Sequence, residues 1–494
     1  MDEKQYAQSH RGATLTVQIQ PGQSPQDVLR TVQKSITEGL RYVELRDDLI
    51  CDEELLWISD RLPRPTKLLS LRRAREEERS RLSLIRRCQP ALLDVALELG
   101  HDANRLYSLI ETTGSVRGVV SCHARDRSVP FAQALANLSK QVPSHFATKA
   151  ALPIDNLAEL FDGHRWHLQD PQRNLFLPIA SDGSGRFRFY RLLLGESLLL
   201  NFLRDPCAPL IPDQPTLSEW QTRHHVPIPT QGPIPFAAIV GDPVEHSRTP
   251  AHHGSFFARY GMPVLKVRLT SLDLSSDVLS ILLSLGLRAC AITSPHKTWL
   301  RDSIDQHSGM WEVSDDRDPQ SAGNTLVACD DGTVFGTSTD GIGLRAAWEE
   351  TLIAQRERCG QNPGIAVFGG GGLLPLLRTV FPGALFLSAR SGKPRDASPS
   401  GPADKDITVL VWSVGPSRFV HNPPSGLRPK LVFDLNYAED SPARAYAQSI
   451  GAQHVDGSLF FRKQADAQQL FWQRHLGHSQ AARDHVDFAK RSPQ

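Results

Sequence analysis

The strongest constraint on this chain is an alternation of short apolar runs with amphipathic stretches, repeated from residue 14 to residue 214. Residues 14–19 mix β-branched and apolar positions in alternation. Ser24 then stands as a cap, Pro25 occupies a first turn, and Val28, Leu29, Val32 and Ile36 share one helical face until Gly39. Further apolar runs lie at residues 42–45, 67–71, 91–95, 118–121, 145–147 and 175–179. A chain that repeats strand then helix brings each strand back in the same direction, which predicts an α/β fold with a parallel sheet. Eight such units close a (β/α)8 barrel, and barrel sites are built at strand C-termini. Glu44, Arg46, Arg72, His123 and Lys149 fall at or just past those ends.

These residue types permit a definite chemistry. Lys149 sits among small apolar residues in HFATKAALP. Burial there lowers a lysine's pKa and frees its amine for imine formation with a ketone. His123, in VVSCHARD, can move a proton beside such an imine. Arg72, Arg191 and Glu44 can hold a carboxylate and hydroxyls. The plainer reading is a strand-end histidine bonded to backbone and a lysine whose amine reaches solvent.

Residues 215–235 hold five prolines and little periodicity, the mark of a linker. After them, residues 236–240 read as a strand, followed by GDPVEHSRTP with the hydroxyls of Ser247 and Thr249 ahead of a helix opened by Pro250. Hydroxyls there are ordinarily caps, but a helix start also suits an anionic substrate. Three polar loops then end apolar runs: AITSPHK at 291–297, SAGNTLV at 321–327 and GTSTDG at 336–341. They present an amine (Lys297), an amide (Asn324) and a carboxylate (Asp340), as sites on α/β scaffolds do. GIAVFGGGG at 364–372 is a strand running into a dinucleotide-type turn, with Gly369, Gly371 and Gly372 before a helix from about Leu373. Roughly 20 residues on, an NAD enzyme carries an acid for the ribose hydroxyl. Here ALFLSAR ends in Arg390, which favours a 2′-phosphate and hence NADP(H).

Composition excludes several classes. The net charge of +1 offers nothing to nucleic acid or an anionic membrane surface. No apolar run reaches the ~20 residues of a membrane span. The polar N-terminus lacks a signal-peptide core. Seven dispersed cysteines without a CxxC pair read as reduced thiols, so a cytoplasmic protein is expected. The adjacent His224 and His225 are a poor pair for one metal, and no metal site is expected.

Residues 14–214 resemble the type I 3-dehydroquinate dehydratases, which are (β/α)8 barrels. VELRDDL is similar to that family's ELR motif, LLSLRRAREE to its strand ending in arginine, and VSCHAR to its S-x-H segment. ATKAA is similar to the segment of its imine-forming lysine, YRLLLGES to its substrate-arginine motif, and IPDQPTL to its APGQ-type loop. The resemblance implies Lys149 as the imine former and His123 as general acid/base. It implies Glu44, Arg46, Arg72, Glu76, Arg191 and Gln214 around the substrate. Ala124, Leu210 and Asp213 depart from the family pattern.

Residues 236–475 resemble shikimate dehydrogenase. GDPVEHSRTPAHH is similar to its GxPxxHSxSPxxHN opening, AITSPHK to NVTxPxK, SAGNTLV to GAVNTL, and GTSTDG to GxNTDG. The resemblance implies Ser247 and Thr249 on the substrate carboxylate, Thr293, Asn324 and Gln464 on its hydroxyls, Tyr437 near it, and a Lys297–Asp340 catalytic dyad. Gly254, Ala291 and Ser338 stand where that family has asparagines. Residues 389–391 match its NRT segment, adding Ser391 to Arg390 at the cofactor, and VWSVGP resembles its nicotinamide loop.

The expected organisation is a barrel over 1–214, a linker over 215–235, a substrate lobe over 236–345 completed by a helix at 457–475, a Rossmann lobe over 346–456, and a tail. The expected function is fused: dehydration of 3-dehydroquinate, then NADPH-dependent reduction of 3-dehydroshikimate to shikimate, in a monomer or homodimer. The alternatives are a shikimate or quinate dehydrogenase with an inactive barrel as scaffold, and a metabolite-sensing regulator without turnover.

Overall fold

A computed structural model describes residues 12–491, apart from 74–77, 100–106, 109, 112–115, 195–197, 205–210, 224–233, 275–276, 316–321, 396–406, 415–422 and 424–425. Glu76, Leu210, His224, His225, Ser321, Gly415 and Pro416 therefore lie outside the described residues. The chain divides into two compact units, Met1–Pro235 with Gly261–Gly286, and Phe236–Tyr260 with Leu287–Gln494.

The first unit is built on eight parallel strands: β1 (Ala13–Thr16), β2 (Tyr42–Arg46), β3 (Lys67–Leu71), β4 (Leu92–Ala96), β5 (Arg117–Cys122), β6 (Ala147–Ala150), β7 (Asn174–Phe176) and β8 (Asn201–Leu203). Their order is β8-β1-β2-β3-β4-β5-β6-β7, so the last strand pairs with the first. Helices follow β1, β2, β3, β5, β6 and β7. The first, Pro25–Thr37, starts as its sequence dictates. Ser24 Oγ accepts from the Asp27 N–H, and the Asp27 carboxylate accepts from the Ser24 N–H. Val28, Leu29, Val32 and Ser35 are buried, with Ile36 only half-buried, so the inward face is turned slightly from the predicted one.

Three strands differ from expectation. The first ends at Thr16 although the alternation runs on to residue 19. The apolar run at 145–147 predicts a strand ending before Lys149. Instead Phe146 N–H bonds back to Pro143 O in a turn, and the strand is Ala147–Ala150 with Lys149 inside it. The run at 175–179 is split into Asn174–Phe176 and the start of a separate short strand, Ile179–Ala180, because Pro178 has no N–H for the ladder. The expected linker also contains a helix, Leu217–Arg223. Thr216 and Glu219 close a capping box over it, with Glu219 N–H on Thr216 Oγ1 at 3.1 Å and Thr216 N–H on Glu219 Oε2 at 2.8 Å.

Gly261–Gly286 adds the strand Val264–Arg268 and the helix Val278–Ser284 to this unit. Its Asp273, 0% exposed, pairs with Arg186, 2% exposed. Asp273 also accepts from the Leu157 N–H at 3.0 Å, the Thr270 N–H at 2.8 Å and the Thr270 hydroxyl at 2.9 Å. A buried carboxylate persists only when its lone pairs are taken up in this way.

The second unit holds β9 (Phe236–Gly241), β10 (Leu287–Ile292), β11 (Met310–Trp311), β12 (Thr325–Ala328) and β13 (Val334–Thr337), in the order β9-β10-β12-β13-β11. β9 and β10 are parallel, and β12 runs antiparallel to both neighbours. A second, all-parallel sheet has the order β15-β14-β16-β17-β18, from β14 (Gly364–Gly369), β15 (Leu385–Leu387), β16 (Ile407–Ser413), β17 (Leu431–Asp434) and β18 (Gln453–Val455). Strand order reverses at β14, and a ligand crevice opens beyond such a strand's C-terminus. The helix Ser458–Arg491 returns against the helix Asp340–Ala354. A Cβ on Gly343 would lie 2.7 Å from Gln464 Cβ, so only glycine lets the helices approach this closely.

Candidate active sites

In the first unit Asp94 is the centre. It lies mid-strand in β4 and is fully buried. Its Oδ2 accepts from Lys149 Nζ and from Arg72 Nη2 at 3.2 Å. Ladder register explains the meeting. Ser70 stands opposite Asp94 across β3–β4, and Ser121 opposite Lys149 across β5–β6. Lys149 Nζ also sits 4.6 Å from the Phe202 ring centroid. Arg72 Nη1 is 2.9 Å from a ring nitrogen of His123. Glu98 accepts from the backbone N–H groups of His123 and Ala124 and lies 3.7 Å from the His123 ring nitrogen Nδ1. Glu44 is buried and accepts from Ser70 Oγ at 2.6 Å.

The electrostatics follow from burial and neighbours. Burial lowers the pKa of Lys149, helped by Arg72 and opposed by Asp94. Burial works to raise Asp94, but Lys149 and Arg72 win and hold it down to about 2. Burial likewise depresses His123, against the pull of Glu98. The result is a lysine whose ammonium is weakened by burial beside an ionised carboxylate, with the His123 imidazole on the same guanidinium. That set can attack a carbonyl and move a proton next to it.

Arg46 pairs instead with Asp48, at 2.7 Å. Arg191 is buried, donates to Asn201 Oδ1 at 3.0 Å and Phe202 O at 3.2 Å, and is pushed down to about 10 by burial. Gln214 is half-buried beside Asp213, which accepts from the Ala180 and Phe187 N–H groups and so has a structural duty. Sequence reasoning missed Asp94 and Glu98. Asp94 had a signal: one carboxylate inside the apolar run LLDVA, where a buried charge requires a partner.

In the second unit the three polar loops converge because their strands are neighbours. Ala291 pairs with Thr325, and Thr325 with Thr337, so the ends of β10, β12 and β13 share an edge. The turn after β10 is closed by Thr293 N–H on Val240 O and His296 N–H on Thr293 O. It delivers Lys297 to the start of the helix Lys297–Gln306. Lys297 Nζ donates to Asp340 Oδ2 at 2.5 Å, and Asn324 Nδ2 donates to Asp340 Oδ1 at 2.9 Å. Asn324 is wholly buried. Its Oδ1 accepts from Thr339 N–H at 2.8 Å, Thr325 Oγ1 at 2.8 Å and Thr339 Oγ1 at 3.1 Å. It therefore orients the dyad, a duty its expected contact with substrate does not include.

Ser247 and Thr249 follow β9, Ser247 Oγ accepting from the Thr249 N–H at 3.2 Å. Thr249 is the first residue of its helix and is buried, with Arg248 as the cap. Arg248 lies 4.8 Å over the Tyr437 ring and donates to Tyr437 O and Ser458 Oγ. Gln464 is half-buried on the returning helix.

At the end of β14, Gly369, Gly370 and Gly371 have φ of +97°, +116° and +49°, the left-handed region that glycine favours. A Cβ on Gly369 would strike Val414 at 2.4 Å. On Gly371 or Gly372 it would meet nothing within 4 Å, so the backbone there is an open floor for a phosphate. A 3-10 turn, Gly371–Leu373, precedes the short helix Leu374–Val380. Arg390, exposed, and Ser391 follow β15, the parallel neighbour of β14. These residues fit a dinucleotide with a charged ribose substituent. Among the described residues no cluster of His, Cys, Asp and Glu could hold a metal. No helix there is long and apolar enough to cross a membrane.

Residues 239–312 match the family model of the shikimate dehydrogenase substrate binding domain. A shikimate dehydrogenase (NADP(+)) of Cereibacter sphaeroides is 34% identical over 142 residues, covering 28% of this chain and 47% of its own length. The chain thus spans about half the length of the first curated relatives it matches. Another, from a further strain of that species, is 30% identical over 254 residues, covering 45% of this chain and 86% of itself. Among solved structures, dehydroquinate dehydratase and shikimate dehydrogenase from S. pombe AroM shares 17% identity, covering 95% of this chain and 97% of that one, with a TM-score of 0.34. Shikimate dehydrogenase of Mycobacterium tuberculosis shares 18%, covering 48% and 93%, with a TM-score of 0.36. Scores this low decide nothing about fold or chemistry. The match over most of a relative's length does decide the family: this chain belongs to the shikimate dehydrogenases.

Proposed function

We propose that the chain catalyses two consecutive reactions, each centred on a lysine. The first unit, closed as a (β/α)8 barrel, removes water from 3-dehydroquinate. The second reduces the resulting 3-dehydroshikimate to shikimate with NADPH. The observation that carries this reading is that each unit holds one lysine amine against one aspartate, Lys149 on Asp94 and Lys297 on Asp340. Eight parallel strands in one sheet, with the last, β8, beside the first, β1, support this reading. Both reactions act on dissolved metabolites, in a cytoplasmic monomer or homodimer.

In the barrel Lys149 gives up its ammonium proton and attacks the C3 ketone as the free amine; the same proton is returned as water leaves, giving a protonated imine. The imine draws electrons from C2, and His123 removes the C2 proton. The enamine then expels the C1 hydroxyl, which leaves as water with the proton from His123. Hydrolysis frees Lys149 and the product. Asp94 remains ionised and keeps the amine in register. Glu44, Arg46, Arg72, Arg191 and Gln214 bind the carboxylate and hydroxyls.

In the second unit Gly369, Gly371, Gly372, Arg390 and Ser391 hold NADPH, which supplies the hydride. Lys297 sits where the ketone oxygen becomes alkoxide-like, stabilises it and donates a proton. Asp340 keeps that ammonium oriented. Ser247 and Thr249 take the substrate carboxylate, and Thr293, Asn324, Tyr437 and Gln464 line its ring.

Two variants test the division of labour. Lys149→Ala should lose dehydration while reducing 3-dehydroshikimate normally, and Lys297→Ala should do the reverse. A Lys149→Ala protein that still dehydrates at the wild-type rate would end the barrel half of the proposal.

A further inference from the structure

The Lys297–Asp340 pair ends a longer chain of hydrogen bonds whose direction can be read donor by donor. Begin at Asp340, which can only accept. Asn324 Nδ2 donates to its Oδ1, which fixes the Asn324 amide with its oxygen facing away. That oxygen takes the Thr325 hydroxyl proton at 2.8 Å. Thr325 Oγ1, its proton committed, can then only accept from Gln468 Nε2, at 3.2 Å. The same amide nitrogen donates to Asn324 O at 3.2 Å, which fixes Gln468 with Oε1 pointing the other way. Oε1 faces His253 Nε2 at 3.3 Å, so that nitrogen carries the proton. His253 Nδ1 is then bare, and accepts from Gln469 Nε2 at 3.0 Å. Every polarity is forced once the carboxylate is named.

The chain is also dry and rigid. Asn324, Thr325 and His253 are 0% exposed and Gln468 3%. His253 packs edge-on against Trp472 with centroids 4.9 Å apart, and Trp472 Nε1 donates to Leu326 O at 2.9 Å. Gln468 lies one helical turn after Gln464, so the same contact sets the register of the returning helix against β12.

We propose that Gln468 is a positioning residue for the reduction. Through Thr325 it locks the Asn324 amide, and Asn324 in turn locks Asp340 beside Lys297. Gln469 and His253 set its own orientation from behind. The proposal rests on the reductase reading given above, and names a residue that neither a motif nor a substrate contact singles out.

A double-mutant cycle on the full chain tests it, with 3-dehydroshikimate and NADPH. Gln468→Met keeps the volume and removes both donors. Thr325→Val removes the hydroxyl, and Thr325→Ser keeps it. Gln468→Met and Thr325→Val are each expected to lower kcat about tenfold while KM moves less than about threefold, as for loss of one oriented hydrogen bond in the transition state. The double variant should be no worse than either single one, because both break the same chain. Thr325→Ser should keep wild-type kcat. Nitrogen NMR of His253 gives a readout independent of turnover: the wild type should show a neutral ring protonated at Nε2, with that signal displaced in Gln468→Met. A multiplicative double variant, a Gln468→Met kcat within twofold of wild type, or a His253 proton on Nδ1 would overturn the proposal. Absence of any reduction by the wild type would instead refute the reductase reading, and leave the NMR test standing.

Discussion

Acid should weaken the second unit by an amount that one histidine sets. His253 is fully buried, and burial, with His252 adding to it, pushes it down to about 3 from an ordinary value of 6.5. The Gln468 oxygen beside Nε2 favours a charge there, but burial outweighs it. The unfolded chain therefore takes up a proton below pH 6.5 that the folded chain refuses until about pH 3. Stability is fully present above 6.5 and falls as pH drops through that value, by about 1.4 kcal/mol per pH unit. At pH 5 the loss is about 2 kcal/mol, a large part of the roughly 5–15 kcal/mol that holds a domain folded. Hydrogen exchange by mass spectrometry, across Thr325–Ala328 and residues 464–473, reads local stability at pH 8 and pH 5. Comparison with His253→Gln cancels the other titrating groups, His164 of the first unit among them, which burial holds at about 4. The wild type should lose about 2 kcal/mol more than the variant over that interval. Equal slopes in the two proteins would refute the assignment of a neutral, unprotonatable His253.

Other perturbations follow from the same contacts. Borohydride added with 3-dehydroquinate should fix a covalent adduct on Lys149, located by peptide mass, and Lys149→Ala should take up none. Arg390→Ala should raise the KM for NADPH tenfold or so while leaving that for NADH nearly unchanged, since one charge-assisted contact is removed from one cofactor only. Arg186→Met should cost about 3–5 kcal/mol in urea unfolding of the first unit, because it leaves Asp273 buried and without its cation. An effect below about 1 kcal/mol there would mean that the three remaining donors on Asp273 suffice.

The parts of the fold that the sequence announces are those with a strong local signal. Ser24, Pro25 and Asp27 dictate a helix start, and the structure has it. The apolar runs at 67–71 and 91–95 give β3 and β4 within a residue. Lys149 was placed past its strand because His145 and Phe146 look like strand residues. They are spent in a turn, and tertiary pairing with β5 and β7 carries the strand on through Ala150. In the second unit Lys297, Asn324 and Asp340 were each visible in a loop, but their meeting depends on the ladder Ala291–Thr325–Thr337, which no local pattern encodes. Gln468 and Gln469 were invisible for the opposite reason. On a helix surface a glutamine is ordinary, and only the returning helix's register brings this pair onto His253 and β12.

The central claim is that two lysines in one chain run successive reactions, and a single coupled assay addresses it. The full chain is given 3-dehydroquinate and NADPH, and shikimate is measured against NADPH consumed. The account predicts one shikimate formed per NADPH oxidised, abolished by replacing either Lys149 or Lys297. Ready reduction of added 3-dehydroshikimate, with 3-dehydroquinate left untouched, would contradict it.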